Sequence, residues 1–236
     1  MNDSYWERLR ALRAGVRAFR RQHTRERVGR AYHMWYYDSG LWQQTKWFGI
    51  PIQKLPFDLW NYQEILYELR PGLLIEFGSC YGGSALYFSH LLRSLGQPYC
   101  VLSVDVEPNR IAERARQDPN IVFFHSSSSD PKVAEVITEQ RANLPGPVFA
   151  ILDSDHTKQH VLAEMELLRP LLKSGDYMVV EDSNINGHPV AFGWGEGPFE
   201  AIEEYMHRHP DDYSHDRERE YRFAATFAPN GYLIRR

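Results

Sequence analysis

Glu76-Phe77-Gly78-Ser79-Cys80-Tyr81-Gly82-Gly83-Ser84 is the stretch on which the reading of this chain turns. It continues Leu73-Leu74-Ile75, an apolar run with the length of a buried strand, and leads into a helix read over Ser84–Leu95. Strand, glycine-rich turn and helix in that order open a βαβ unit. Downstream the alternation persists. Tyr99–Val106, Ile121–Phe124, Val148–Leu152 and Tyr177–Val180 read as strands, and residues 108–116, 131–142 and 157–172 as helices between them. Short apolar strands separated by helices imply an α/β fold with a doubly wound, mostly parallel sheet covered on both faces. The end of the chain breaks the pattern. Tyr221–Phe227, the turn Pro229-Asn230-Gly231 and Tyr232–Ile234 read as a C-terminal β-hairpin.

Upstream of the loop, Leu59, Tyr62, Ile65, Leu66 and Leu69 mark a helix that Pro71-Gly72 ends. Residues 1–57 form an N-terminal helical extension and residues 58–236 the main domain. Arginines crowd the start of the extension, with Leu9, Leu12, Val16 and Phe19 at helical spacing between them. Its second half carries Tyr32, Trp35, Tyr36, Tyr37, Trp42, Trp47 and Phe48. Aromatics in that number need burial, over a pocket or at an interface. The arginine-rich helix is expected to pack on its own domain or on a neighbouring subunit, and we expect a homo-oligomer. Asp3, Glu7 and Glu26 speak against a transit peptide.

Bulk properties narrow the function classes. A net charge of −4 gives no footing for nucleic acid, and no apolar run reaches the length of about 20 residues needed to cross a bilayer. Cys80 and Cys100 do not make a disulfide framework, so a reduced, cytoplasmic protein is expected.

In an open α/β sheet, ligands bind beyond the carboxyl ends of the strands. Gly78, Gly82 and Gly83 let the backbone approach a ligand there. Asp105, ending the second strand about 20 residues on, can accept ribose hydroxyls. The spacing G-x-x-x-G-G lacks the tight diphosphate turn of G-x-G-x-x-G, and Glu76 would repel a pyrophosphate. A ligand bearing an ammonium and a sulfonium fits better, so S-adenosylmethionine is the expected cofactor, ahead of a nicotinamide or flavin dinucleotide. The bland alternative is that the glycines only make a turn.

Two further strand ends are acidic: Asp153-Ser154-Asp155-His156 and Glu181-Asp182-Ser183-Asn184. Brought together, these carboxylates repel unless compensated, and oxygen ligands select a hard cation such as Mg2+. Either Asp153 or Asp155 could be the first ligand, the other orienting the cofactor. Capping of the following helix by Asp155 and a turn role for Asp182 compete with that reading. His156, in the acidic loop, is the candidate general base. His160, one turn on, reads as a helix-face residue. Ser183–Gly197 is a glycine-containing, aperiodic loop of the length of a lid.

These residues carry a resemblance. Trp47-Phe48-Gly49-Ile50-Pro51, Asp58-Leu59-Trp60-Asn61-Tyr62-Gln63-Glu64, the glycine loop, Asp153–His156, Glu181–Val190 and Gly197-Pro198 resemble the cephalosporin hydroxylase family. That family has the class I methyltransferase fold, and the likeness covers most of residues 47–236. It implies that Gly78, Gly82, Ser84 and Asp105 contact S-adenosylmethionine and that Ser127 or Ser128 lies near the adenine. It implies Asp155, Glu181 and Asp182 as magnesium ligands, with Asp153 the rival first ligand or a cofactor contact beside Glu76. It further implies O-methylation of a 7α-hydroxycephalosporin in cephamycin biosynthesis, with a partner protein performing the hydroxylation. An oxygenase iron site is not supported, because the one His-x-Asp pair, His209-Pro210-Asp211, is followed only by His215. Three rivals remain: methylation of a sugar hydroxyl, a nicotinamide-dependent oxidoreductase, and a non-catalytic cofactor-binding subunit.

Overall fold

The computed structural model describes residues 3–236. In chain order, α1 (Asp3–Asp38) leads to a two-strand ribbon, β1 (Lys46–Trp47) and β2 (Ile50–Pro51), and then to α2 (Pro56–Leu69). The main body follows as β3 (Leu73–Phe77), α3 (Gly83–Ser94), β4 (Cys100–Asp105), α4 (Glu113–Arg116), β5 (Ile121–His125), α5 (Pro131–Ala142), β6 (Val148–Leu152), α6 (Lys158–Leu168) and β7 (Tyr177–Val180). It closes with α7 (Pro198–Arg208), β8 (Tyr213–His215), α8 (Arg217–Tyr221) and β9 (Tyr232–Arg235).

The seven-stranded sheet has the order β5-β4-β3-β6-β7-β9-β8, parallel from β5 to β7 and antiparallel at β9 and β8. The expected α/β sheet is therefore present. Period-two burial splits it into two core layers. Leu73, Ile75 and Phe77 face a layer with Val133, Ile137, Met165, Leu168 and Tyr205 from α5, α6 and α7. Leu74, Phe149 and Ile151 face a second layer with Tyr62, Leu66, Phe88 and Leu92 from α2 and α3. The chain leaves β3 toward β4 on one side and returns through β6 on the other, so the carboxyl ends of β3 and β6 flank a topological switch point.

Three expectations are corrected. The hairpin partner of β9 is Tyr213–His215, not Tyr221–Phe227. Residues 222–228 instead run as an irregular segment, in which Thr226 donates to Asp58 and Phe227 packs beneath the α1 aromatics. Only a single helical turn, Glu113–Arg116, remains of the helix expected at 108–116, because Pro108–Arg110 forms a tighter turn first. The first part of α1 does not pack on its own domain: every described side chain of residues 7–28 is exposed, including Leu12, Val16 and Phe19. The side chain of Leu9 lies outside the described residues.

Close packing begins at Gly29, where a Cβ would lie 2.1 Å from the Ala224 carbonyl oxygen. From there Tyr32, Tyr36, Tyr37 and Trp42 gather around Phe227 and Phe57, which buries much of the aromatic excess within the chain. Among the described residues no helix is long and apolar enough to cross a membrane.

Candidate active site

The glycine loop and the end of β6 meet across the switch point. Asp153 N–H donates to the Phe77 carbonyl at 2.8 Å. Gly78 has φ +96°, and a Cβ on it would stand 2.0 Å from the Asp153 carbonyl oxygen, so only glycine fits. A cavity of about 490 Å³ opens here, lined among others by Gly78, Asp105, Ser127, Ser128, Asp153 and His160.

Asp105 braces the loop. Its Oδ2 accepts from the N–H groups of Ser79 and Cys80 at 2.8 Å each, and Oδ1 accepts from Glu107 N–H at 2.7 Å. Oδ2 is thereby filled, while Oδ1 keeps a lone pair for a ligand hydroxyl. Glu76, Gly82 and Ser84 do not line the cavity. Glu76 is fully buried, its Oε2 accepts from Ser103 Oγ at 2.5 Å, and its Oε1 has no partner. Burial pushes its carboxyl up to about 7 against the lowering effect of the Ser103 hydroxyl.

The acidic ends of β6 and β7 also come together. Asp153, His156 and Asp182 each offer a ligand atom within 4.8 Å of the others. His156 Nε2 lies 3.2 Å from Asp182 Oδ2. Burial works to lower the His156 pKa, but Asp182, then Asp153 and Glu181, outweigh it and raise it. Burial likewise raises the carboxyls of Asp153 and Asp182, opposed by Lys54 and His156 respectively.

Lys54, just before α2, had no place in the sequence-level site. It is 1% exposed, and its Nζ sits 2.7 Å from Asp153 Oδ2 and 3.1 Å from Glu181 Oε1. Burial alone would lower its pKa, yet Asp153 and Glu181 hold it above the ordinary lysine value. Tyr62 OH donates to Glu181 Oε1 at 2.5 Å. Glu181 is thus engaged by a lysine and a tyrosine, outside the cluster. Asp155 is also outside it: the carboxylate is exposed, and Oδ1 accepts from Thr157 N–H at 2.9 Å at the start of α6. Of the three ligands expected from the sequence, Asp182 falls in the cluster, while Asp155 and Glu181 do not. Asp153 takes the place of the first.

Lys54 did leave a trace: it is a lone cation within the apolar run Ile50–Leu55. Glu164 leaves a similar one, being an acid between Val161 and Met165 on the buried face of α6. Ser183–Gly197 proves to be only partly a free loop. Glu200 on α7 accepts from Asn186 Nδ2 at 2.9 Å and from Gly197 N–H at 2.8 Å, and it pairs with His188 at 3.0 Å. Residues 192–196 at its tip are exposed.

This geometry can be set beside known proteins. Residues 39–236 match the family described as Rhamnosyl O-methyltransferase/CmcI. The chain belongs to this family. It is an O-methyltransferase. A protein of Mycobacterium tuberculosis named Rhamnosyl O-methyltransferase is 57% identical over 208 residues, covering 88% of this chain and 85% of the relative. The structure described as CmcI-N160 apo-structure has 25% identity and a TM-score of 0.66, covering 82% of this chain and 76% of that one. A second, described as cmcI-D160 Mg-SAM, has 24% identity and a TM-score of 0.64 over 82% and 77%. The motif-level resemblance therefore reached the family of this methyltransferase. The mycobacterial relative, however, is named for a rhamnosyl acceptor and not for a cephem.

Proposed function

We propose that this O-methyltransferase moves the methyl group of S-adenosylmethionine to a hydroxyl of a rhamnosyl group, with Mg2+ at the acidic cluster. One observation carries the reading. A nucleoside-sized cavity has Asp105 and Asp153 on its wall, and Asp153 is also a member of the Asp153–His156–Asp182 cluster, so a donor and an acceptor hydroxyl can meet at Asp153. The relative named for rhamnosyl methylation supplies the acceptor class. The cavity suits the cofactor, since Gly78 brings bare backbone to its wall and Asp105 Oδ1 retains acceptor capacity for a ribose. The cluster suits the metal: two carboxylates leave an octahedral ion positions for water and substrate. A solved structure of the same fold is described with both Mg and SAM.

Asp153 and Asp182 would hold the metal, whose chemistry when bound is to lower the pKa of a coordinated hydroxyl. Lys54 and Tyr62 keep Asp153 and Glu181 in place from below. His156, beside Asp182, accepts the hydroxyl proton as the oxygen attacks in line with the departing sulfur. The carbon–sulfur bond breaks as the carbon–oxygen bond forms, and the proton ends on His156. Residues 183–190, pinned by Glu200, exclude water from one side.

The chain would act as a homo-oligomer through the exposed part of α1. A rhamnosyl glycoside and a 7α-hydroxycephem, each incubated with S-adenosylmethionine and Mg2+, test the acceptor. Mass spectrometry should show one added methyl on the glycoside. Methylation of the cephem alone would sink the rhamnosyl assignment and favour the cephamycin reading. Methylation of neither would favour a cofactor-binding subunit.

A further inference from the structure

Glu164 lies on α6 with no exposed surface, directly behind the cavity wall. Its Oε1 accepts from the hydroxyl of Ser128, at the end of β5, at 2.5 Å and from that of Ser154, at the end of β6, at 2.5 Å. His160, one turn earlier on α6, brings Nε2 to 3.3 Å from the same oxygen and to 2.9 Å from Ser128 Oγ. Glu164 Oε2 has no partner. Ser128, Ser154 and His160 all line the cavity, and the acid that gathers them does not.

Counting protons gives this wall a chemical sense. A serine hydroxyl has one hydrogen and two lone pairs. Ser128 and Ser154 both commit their hydrogen to Glu164. His160 Nε2 must then carry its own hydrogen in order to bond to Ser128 Oγ. What the two serine oxygens can offer the cavity is lone pairs only. A ligand edge that meets them must donate. The 6-amino group of adenine does so, whereas the 6-carbonyl of hypoxanthine would face two acceptors. The wall shares the cavity with Asp105, which is placed for the ribose.

We propose that Glu164 is a positioning residue that turns Ser128 and Ser154 into obligate acceptors and thereby selects a 6-aminopurine base in the cofactor. The proposal rests on the reading of the cavity as an S-adenosylmethionine site. A buried polar wall left facing the wrong partner discriminates strongly, because its groups stay unpaired.

The test compares S-adenosylhomocysteine with S-inosylhomocysteine by calorimetry on the full chain. The wild-type protein should bind the adenosyl ligand at least about tenfold tighter. In Glu164→Leu no acceptor remains, which frees the serine hydrogens to turn into the cavity, so the ratio should fall to within about threefold. Ser128→Ala, which removes one acceptor without touching the buried acid, should lower the ratio in the same direction and keeps the test open if Glu164→Leu does not fold. Circular dichroism and thermal melting establish folding. A general structural role for Glu164 would weaken both ligands equally and leave the ratio unchanged. An unchanged ratio in the folded variants, or no preference in the wild type, overturns the selection by Glu164 while leaving the cofactor reading standing. Binding of neither ligand by the wild-type protein overturns the cofactor reading itself.

Discussion

Lys54 and Asp153 are 99 positions apart in sequence and 2.7 Å apart in space. Their pairing explains how Asp153 and the buried Glu181 stand side by side, since one ammonium touches both. Removing one partner of a buried ion pair leaves the other charge uncompensated, which costs far more than the intact pair contributes. Lys54→Met should therefore destabilise the folded protein by about 3–5 kcal/mol, read from urea unfolding. A loss below about 1 kcal/mol would mean that Asp153 and Glu181 find other compensation. Glu76 carries a different signature. Its folded carboxyl titrates at about 7, above its ordinary value of 4.5. A raised carboxyl contributes stability that is present below the unfolded pKa and is lost as pH rises through the folded one. The unliganded protein should lose roughly 3 kcal/mol between about pH 4.5 and pH 7 from this group. Glu76→Gln should flatten that part of a urea-midpoint profile, and an unchanged slope would reassign it to other groups.

The legibility of the sequence differed by element. β3, β6 and β7 were readable to the residue, because strands buried on both faces are short, continuous apolar runs bounded by polar ones. β8 was not, because three residues among charged neighbours carry no period. Tyr221–Phe227 misled for a physical reason: Phe227 is apolar to fill the aromatic cluster under α1, and Thr226 serves Asp58, with no strand partner involved. Within the site, Gly78, Asp105, Asp153, His156 and Asp182 were legible from their places at strand ends. Lys54 and Glu164 were not, since their meaning depends on which distant groups they touch.

The segment 183–197 shows the same dependence, being held by Glu200 from the next helix. Glu200→Ala removes three hydrogen bonds to a charged acceptor and should cost about 1–3 kcal/mol. Methyl transfer should weaken mainly through a higher KM for the acceptor, and an unchanged KM would show that this segment does not border it. α1 has the reverse character. Residues 7–28 bury none of their described side chains, so deleting residues 1–27 should leave the melting temperature of the body unchanged. If Leu12, Val16 and Phe19 meet a second copy, size-exclusion chromatography should show a smaller particle after the deletion.

At the scale of the whole molecule, the switch point divides the site into two halves built by different strands. β3, β4 and β5 carry the glycine loop, Asp105 and Ser126–Ser128, which line the cavity proposed for the nucleoside. β6 and β7 carry Asp153, His156 and Asp182, the acidic side. Asp153 joins them through its contact with Gly78, and Ser154 and His160 from the β6 side complete the cavity wall. Lys54 holds Asp153 from the protein side through its ammonium. The two functions should then separate. Chelation of divalent ions should abolish methyl transfer while leaving the calorimetric affinity for S-adenosylhomocysteine within about threefold, because a loss of several kcal/mol in barrier lowering belongs to the acceptor hydroxyl and not to the nucleoside. Asp182→Asn should behave like chelation, since it alters the acidic side alone. Asp105→Asn should do the opposite, weakening the nucleoside ligand with and without metal. A marked loss of S-adenosylhomocysteine affinity on chelation would show instead that the metal also organises the glycine loop, and that the two halves act as one.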